Sequence, residues 1–427
     1  MKQAWVGLLL LLAACASAPA APPANALNAA AEDYVHLALG VGAREEGYID
    51  AYFGPPEWRD VRAARAPTTS ELRAEADALI ARLQALPAAQ DEASRRRIAY
   101  LIAAAESTRF RIDMIDGVRV PFAEEAERLF ALRPELLPLT HYDAVLARID
   151  ALVPGAAPLA ERVENLRAQF YVPADRVQAV MDAAIAACRE RTAAHLDLPA
   201  NENFSMEYVR GQSWSAYNWY QGDNQSLIQV NLDLPLAIDR ALDLGCHEGY
   251  PGHHVQGIYN ERKYRENGWV EFSVAPLYAP ASPLNEGGGN AGLALAFPEA
   301  ERLAFEVRTL YPLAGLDPAR AAEYDALLTA LDDLAGARLT IAALYLDGEI
   351  TRERAIELSQ HYQLVTPQRA AQLMAFNDQY RSYVINYVSG EALVRDYVER
   401  AGADPAARWA AFERYLSLPM LPQDLAP

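Results

Sequence analysis

From about residue 28 onward, apolar positions recur at three- and four-residue intervals, the period of an amphipathic helix. The run "TTSELRAEADALIARLQALP" is the clearest instance. Thr68 and Glu71 stand as a capping box, Leu72, Ala76, Leu79, Leu83 and Leu86 fall on one face, and Pro87 stops the run. Comparable patterns cover roughly 95–112, 121–132, 141–152, 157–169 and 174–196. Residues 201–234 change character. In "SLIQVNLDL", Ile228, Val230, Leu232 and Leu234 alternate with Gln229, Asn231 and Asp233, a period of two. With "SAYNWYQ" on the other side of Gly222-Asp223-Asn224, this predicts a hairpin. Pro235 suits the first turn of a helix running to His247.

A polar helical stretch then reaches Asn267, and residues 273–292, rich in proline and glycine, read as irregular. Helices resume near Pro298, Asp347-Gly348 marks a turn with Thr351 as a cap beyond it, and a long helical segment over 366–389 is interrupted at Gly390. The expected fold class is mostly α (α+β), with a small antiparallel sheet beside the helix that leads to His247. The expected organisation is an N-terminal helical region over 28–200 and a second region over 201–427, with a cleft between them.

The net charge of −19 argues against nucleic acid, because nothing here neutralises a phosphate backbone. Lys2 followed by the apolar run Val6–Leu12 reads as a targeting segment, too short for a durable membrane span. It ends in Leu12-Ala13-Ala14-Cys15, which resembles a bacterial lipobox. The reading is therefore a lipoprotein signal over 1–14, lipidation at Cys15 and a tether over 15–27. The expected location is the cell envelope, lipid-anchored and facing the periplasm from the outer membrane. Any membrane association would run through that anchor. Cys188 and Cys246 remain, either paired in an oxidising compartment or buried as free thiols.

The chemistry concentrates in "CHEGYPGHHVQ". Three of the seven histidines fall within the eight positions 247–254. His247-Glu248 begins like the H-E-x-x-H zinc motif, in which histidines at i and i+4 share a helix face. Here Pro251 stands at i+4, and His253 and His254 come at i+6 and i+7. On an unbroken helix i+7 lies roughly 10 Å along the axis, too far for one ion. Pro251-Gly252 changes that geometry, because proline disrupts a helix and glycine tolerates unusual dihedrals. A bulge absorbing two residues would return a late histidine to the i+4 place.

His247, Glu248, Pro251, Gly252, His253 and Gln256 resemble the H-E-x-x-P-G-H-x-x-Q signature of the bacterial family known as domain of unknown function 885. "QVNLDLP" before the helix and "YVSGEALV" near the end resemble that family too. The likeness covers about 200–400, and the family is similar to the gluzincin metallopeptidases, which implies a zincin-like fold with 201–427 as the catalytic region. It implies a single zinc ion held by His247 and His253, with Glu248 as the base acting on its water. His254 is the alternative second ligand.

Family members carry Glu-Gly-Trp-Ala where this chain has Glu286-Gly287-Gly288-Gly289, so Glu286 is the implied third ligand. The fallbacks are Glu299, Glu301 and Glu306. The glycines read as a loop, one that lets backbone approach a ligand or that moves over the cleft. Tyr387, in the family's Tyr-x-x-Gly position, is the implied oxyanion donor, with Tyr383 its rival and His361 a further candidate. The strand over 226–234 is placed to pair with an extended substrate. The expected activity is zinc-dependent hydrolysis of peptides. Two alternatives stay open: an amidohydrolase acting on a small amide, and an inactive binding lipoprotein.

Overall fold

A computed structural model describes residues 24–427 except 90, 213, 215 and 234. The leader, Cys15 and most of the tether lie outside the described residues, as does Leu234. The tether's last four positions do not: α1 (Ala24–Gly42) already begins there, and Leu27 is buried.

The fold is mostly helical, with two small sheets. After α1 come β1 (Ile49–Tyr52), α2 (Pro56–Ala64), α3 (Thr69–Gln84), α4 (Glu92–Ile115), α5 (Phe122–Phe130), α6 (Asp143–Leu152), α7 (Leu159–Arg167) and α8 (Val177–Ala193). The capping box at Thr68 and Glu71 forms, and Leu72, Ala76, Leu79 and Leu83 are the buried face of α3.

β2 (Asn203–Val209), β3 (Ala216–Gly222) and β4 (Gln225–Asn231) make a mixed three-stranded sheet. β3 and β4 are the expected hairpin, turned by Asp223 and Asn224 at φ 53° and 59°, which suits a two-residue hairpin turn. Both oxygens of the buried Glu261 accept from this turn's backbone, from Asp223 N and Asn224 N, each at 3.0 Å. The sheet differs from the expected antiparallel one because β2 pairs parallel to β4. β4 is therefore central, and β2 and β3 are the edges.

The second half continues through α9 (Ile238–Leu244), α10 (His253–Arg265), β5 (Val274–Pro276), α11 (Ser282–Ala296), α12 (Glu299–Phe305), α13 (Tyr311–Ala314) and α14 (Ala321–Asp332). Then come α15 (Ala335–Leu346), α16 (Arg352–Tyr362), α17 (Pro367–Tyr380), α18 (Ile385–Glu399) and α19 (Pro405–Ser417). β5 pairs antiparallel with β1, joining the N-terminal part of the chain to the segment after α10.

Two expectations fail here. Residues 282–292 are helical rather than irregular. The long segment near the C-terminus breaks at Arg381, at φ 51°, rather than at Gly390, which lies inside α18. The buried Glu125 fixes that break, accepting from Arg381 Nε at 2.8 Å and Ser382 Oγ at 2.8 Å.

The apolar core forms two large clusters, and neither divides at residue 200. One gathers α6–α8, β4, α9–α11, α13, α14, the later part of α18 and α19. The other gathers α1, α3–α5, β5, part of α15 and the start of α18. Among the described residues no helix is long and apolar enough to cross a membrane.

Candidate metal centre

α9 does not carry a bulge through the motif; it ends there. Residues Gly245–Gly249 form a π-turn, Tyr250 is extended, the Tyr250–Pro251 peptide is cis, and α10 restarts at His253. A Cβ on Gly252 would collide with the His247 carbonyl, so glycine is what lets the chain double back so closely. The reversal sets the His247 and His253 rings 4.7 Å apart between centroids and nearly perpendicular, at 87°. The expected convergence is reached, by a break in the helix rather than by an inserted residue pair. A disulfide from Cys246 to Cys188 on α8 ties this turn to the neighbouring helix.

The third member comes from α11. Glu286 Oε2 lies 3.5 Å from His247 Nε2 and 3.8 Å from His253 Nε2. The ligand atoms of His247, His253 and Glu286 all fall within 4.8 Å of one another. Ligands on one tetrahedral zinc stand roughly 3.3 Å apart, so small side-chain movements would close this set on an ion.

The glycines after Glu286 are not a loop. Each faces a different neighbour on α11. A Cβ at 287 would meet the Gly390 carbonyl of α18, at 288 the Tyr415 hydroxyl, and at 289 His247 Nδ1 at 2.8 Å. They let α11 pass close enough to deliver Glu286.

Hydrogen bonds set the tautomers. Asn290 Nδ2 donates to Tyr387 O and Glu391 Oε2, so its Oδ1 accepts from His247 Nδ1 at 2.7 Å. Gln256 Nε2 donates to Asn285 O at 2.9 Å, so its Oε1 accepts from His253 Nδ1 at 3.0 Å. Both Nε2 lone pairs are thereby aimed at the space beside Glu286. Glu286 Oε1 accepts from the Tyr383 hydroxyl at 2.8 Å, while Oε2 is buried with no hydrogen-bond partner. An orphaned carboxylate oxygen facing two imidazole lone pairs fits a cation.

Glu248 lies alongside, buried, with Oε2 also unpartnered. Burial pushes its carboxyl up, partly offset by His247 and His253. Burial alone would depress His247, but the Glu286 and Glu248 carboxylates outweigh it and raise the imidazole to about 9, so a cation would take the Nε2 lone pair in exchange for a proton. Burial would raise Glu286, and the two histidines hold it down instead.

The other candidates separate cleanly. His254 is fully buried and points away, with Nδ1 2.8 Å from Ser226 Oγ and Nε2 3.1 Å from Glu202 Oε2. It braces α10 against the sheet and does not face the His247–His253–Glu286 cluster. His361 is exposed on α16 against Tyr362, outside the site. Glu299 is exposed, Glu301 pairs with Arg191, and Glu306 pairs with Arg302, so none of the fallback carboxylates reaches the cluster. Tyr383 is committed to Glu286, whereas the Tyr387 hydroxyl has no hydrogen bond among the described residues.

A cavity of about 1410 Å³ opens over these groups and is lined by His247, Glu248, His253, Glu286, Tyr387 and the edge strand β3. β4 is flanked on both sides, so the strand offered to the cleft is β3 instead. Its Asn218 donates to the Glu248 carbonyl at 2.7 Å. Tyr217 of the same strand donates to Asp50 of β1.

Asn290, Asn218 and Asp50 were not legible as site residues. Asn290 had one signal, its i+4 spacing from Glu286, which puts both on one helix face.

No family model matches this chain, and no curated protein does. Among solved structures it is similar to a candidate lipoprotein from Colwellia psychrerythraea, at 14% identity and a TM-score of 0.47. That match covers 82% of this chain and 63% of the Colwellia protein, so the chain spans less than two thirds of that relative. It is also similar to a candidate lipoprotein of unknown function from Shewanella oneidensis, at 12% identity and a TM-score of 0.45, covering 90% of this chain and 82% of that one.

Proposed function

We propose that this protein is a zinc-dependent hydrolase of peptides, related to the domain of unknown function 885 family and through it to the gluzincins. The observation that carries the reading is the pair of imidazole Nε2 atoms facing an unpartnered Glu286 oxygen, 3.5 and 3.8 Å away, beside an unpartnered Glu248. His247, His253 and Glu286 would hold the ion. When bound, zinc supplies Lewis acidity to a carbonyl oxygen and acidifies water.

The chain's own groups do the rest. Glu248 accepts a proton from the attacking water and returns it to the departing amine. Tyr387, whose phenol burial keeps protonated, donates to the developing oxyanion. Tyr383 and Asn290 hold Glu286 and His247 in place. The edge of β3 lines the cleft and suits main-chain pairing with an extended substrate, which favours a peptide over a small amide. From the N-terminal sequence, we place the protein in the envelope on a lipid anchor at Cys15.

The test is metal analysis of the purified protein together with hydrolysis of a mixed peptide library followed by mass spectrometry. One equivalent of zinc and cleavage products are expected. Glu248→Gln should keep the metal and lose about 100-fold or more in rate. Absence of zinc, or full activity in Glu248→Gln, would defeat the reading.

A further inference from the structure

Four arginines from four helices line the same cavity: Arg167 at the end of α7, Arg240 on α9, Arg338 on α15 and Arg369 on α17. The chain carries a net charge of −19, yet among the described residues only one of these four arginines has a carboxylate in ion-pair contact. Arg240 pairs with Asp243. Arg167 has Asp239 and Glu164 within electrostatic reach, yet its Nε is buried without a hydrogen-bond partner.

Arg338 and Arg369 have no ion pair among the described residues. Arg338 Nε is likewise buried and unpartnered, its guanidinium lying over the rings of Tyr387 and Phe376 at 5.4 and 5.5 Å. Arg369 donates only to the neutral Gln372 side chain, at 2.7 Å. Burial, then repulsion from the other three arginines, lowers Arg369 to about 10. Such a group of cations is costly to hold in a partly enclosed space unless an anion completes it. Guanidinium forks match the planar oxygens of a carboxylate. Arg338 stacks on Tyr387, so the anion's place is beside the metal-site residues.

We propose that Arg338 and Arg369, backed by Arg167 and Arg240, form a subsite that receives a carboxylate of the peptide in the cleft. The preferred substrates would then be short peptides carrying a free carboxylate near the cleaved bond. This deepens the peptidase reading and rests on it for the peptide, though not for the anion.

The experiment is calorimetric titration of the full chain, metal removed by chelation, at constant ionic strength. The probes are acetyl-trialanine acid, acetyl-trialanine amide and acetyl-Ala-Glu-Ala amide. The acid should bind about tenfold or more tightly than the trialanine amide. Arg369→Gln and Arg338→Gln should each bring the acid down to the amide's affinity and leave the amide unchanged. A gain confined to the acid assigns the subsite to a chain terminus, and an equal gain for the glutamyl amide assigns it to any nearby carboxylate. Equal binding of acid and amide by the unmutated protein, or binding of neither, overturns the subsite without recourse to any variant. Hydrolysis by the zinc-loaded protein is scored separately. An acid preference without turnover removes the peptidase reading alone, and turnover without the preference removes the subsite alone.

Discussion

At the scale of single residues, the two late histidines divide their labour by the direction each faces. His253 opens α10 toward Glu286, and His254, one position on, is turned by about a hundred degrees into the sheet. Substitution separates them. His253→Ala should abolish stoichiometric metal binding with little loss of stability, since the ring is partly exposed. His254→Ala should retain the metal but cost about 1–3 kcal/mol, because it strands the Ser226 hydroxyl and deprives the buried Glu202 of one of its partners. Metal content and chemical denaturation of both variants check this. The reverse pattern would exchange their roles. The motif alone left the choice open, since spacing gives the order of residues along the chain and not the torsions at Tyr250 and Gly252 that aim them.

At the scale of elements, α11 is where local preference and tertiary packing disagree. Three successive glycines weaken a helix by about 1 kcal/mol each relative to alanine, and for that reason 287–289 read as a loop. They are helical because α11 is pressed between α18, Tyr415 and His247. Gly287→Ala, which propensity alone scores as stabilising, should instead destabilise by about 1–3 kcal/mol, because its methyl would strike the Gly390 backbone. Thermal and denaturant unfolding give the sign, and a stabilised variant would overturn the packing account.

The helices with strong periodicity and caps, such as α3, were legible in the sequence, as was the hairpin. β1 and β5 were not, because each is short and takes its meaning from a partner far along the chain, and neither was β2, which pairs with β4 although β3 intervenes in sequence. Glu306 shows the same principle electrostatically. It lies in a second π-turn, Glu306–Leu310, where burial raises its carboxyl to about 7 against the partial relief of Arg302. Its folded pKa lies above the unfolded value, so the native state binds the extra proton between about 4.5 and 7. Stability should therefore fall as pH rises through that window. Glu306→Gln should flatten the fall, measured as melting temperature from pH 5 to 8. An unchanged slope would place the titration elsewhere.

At the scale of the molecule, the cleft is held by contacts between distant parts of the chain, and its rigidity depends on them. Residues 142–198 share one apolar core with the helices that follow the sheet, and α1–α5 share the other with β5 and the start of α18. Arg97 on α4 makes a buried polar link to Glu271, in the segment before β5. Its Nε and Nη2 donate to the two carboxylate oxygens at 2.5 and 2.9 Å, and its Nη1 reaches Asn28 Oδ1 on α1 at 2.6 Å. Glu271 is fully buried just before β5, so it positions the strand that pairs with β1 and with it the Asp50–Tyr217 contact to the edge of β3. Removing one partner leaves a buried charge uncompensated, whereas removing both leaves only a packing problem. Arg97→Met should therefore cost about 3–5 kcal/mol, and Arg97→Met with Glu271→Met should cost clearly less. Because the link acts on the cleft through β5 and β1, the single variant should also loosen β3, seen as faster amide exchange in Ala216–Gly222, and the double variant should restore much of the protection. A double variant no more stable than the single one would mean that the pair's hydrogen bonds, and not its charge balance, hold these two segments together.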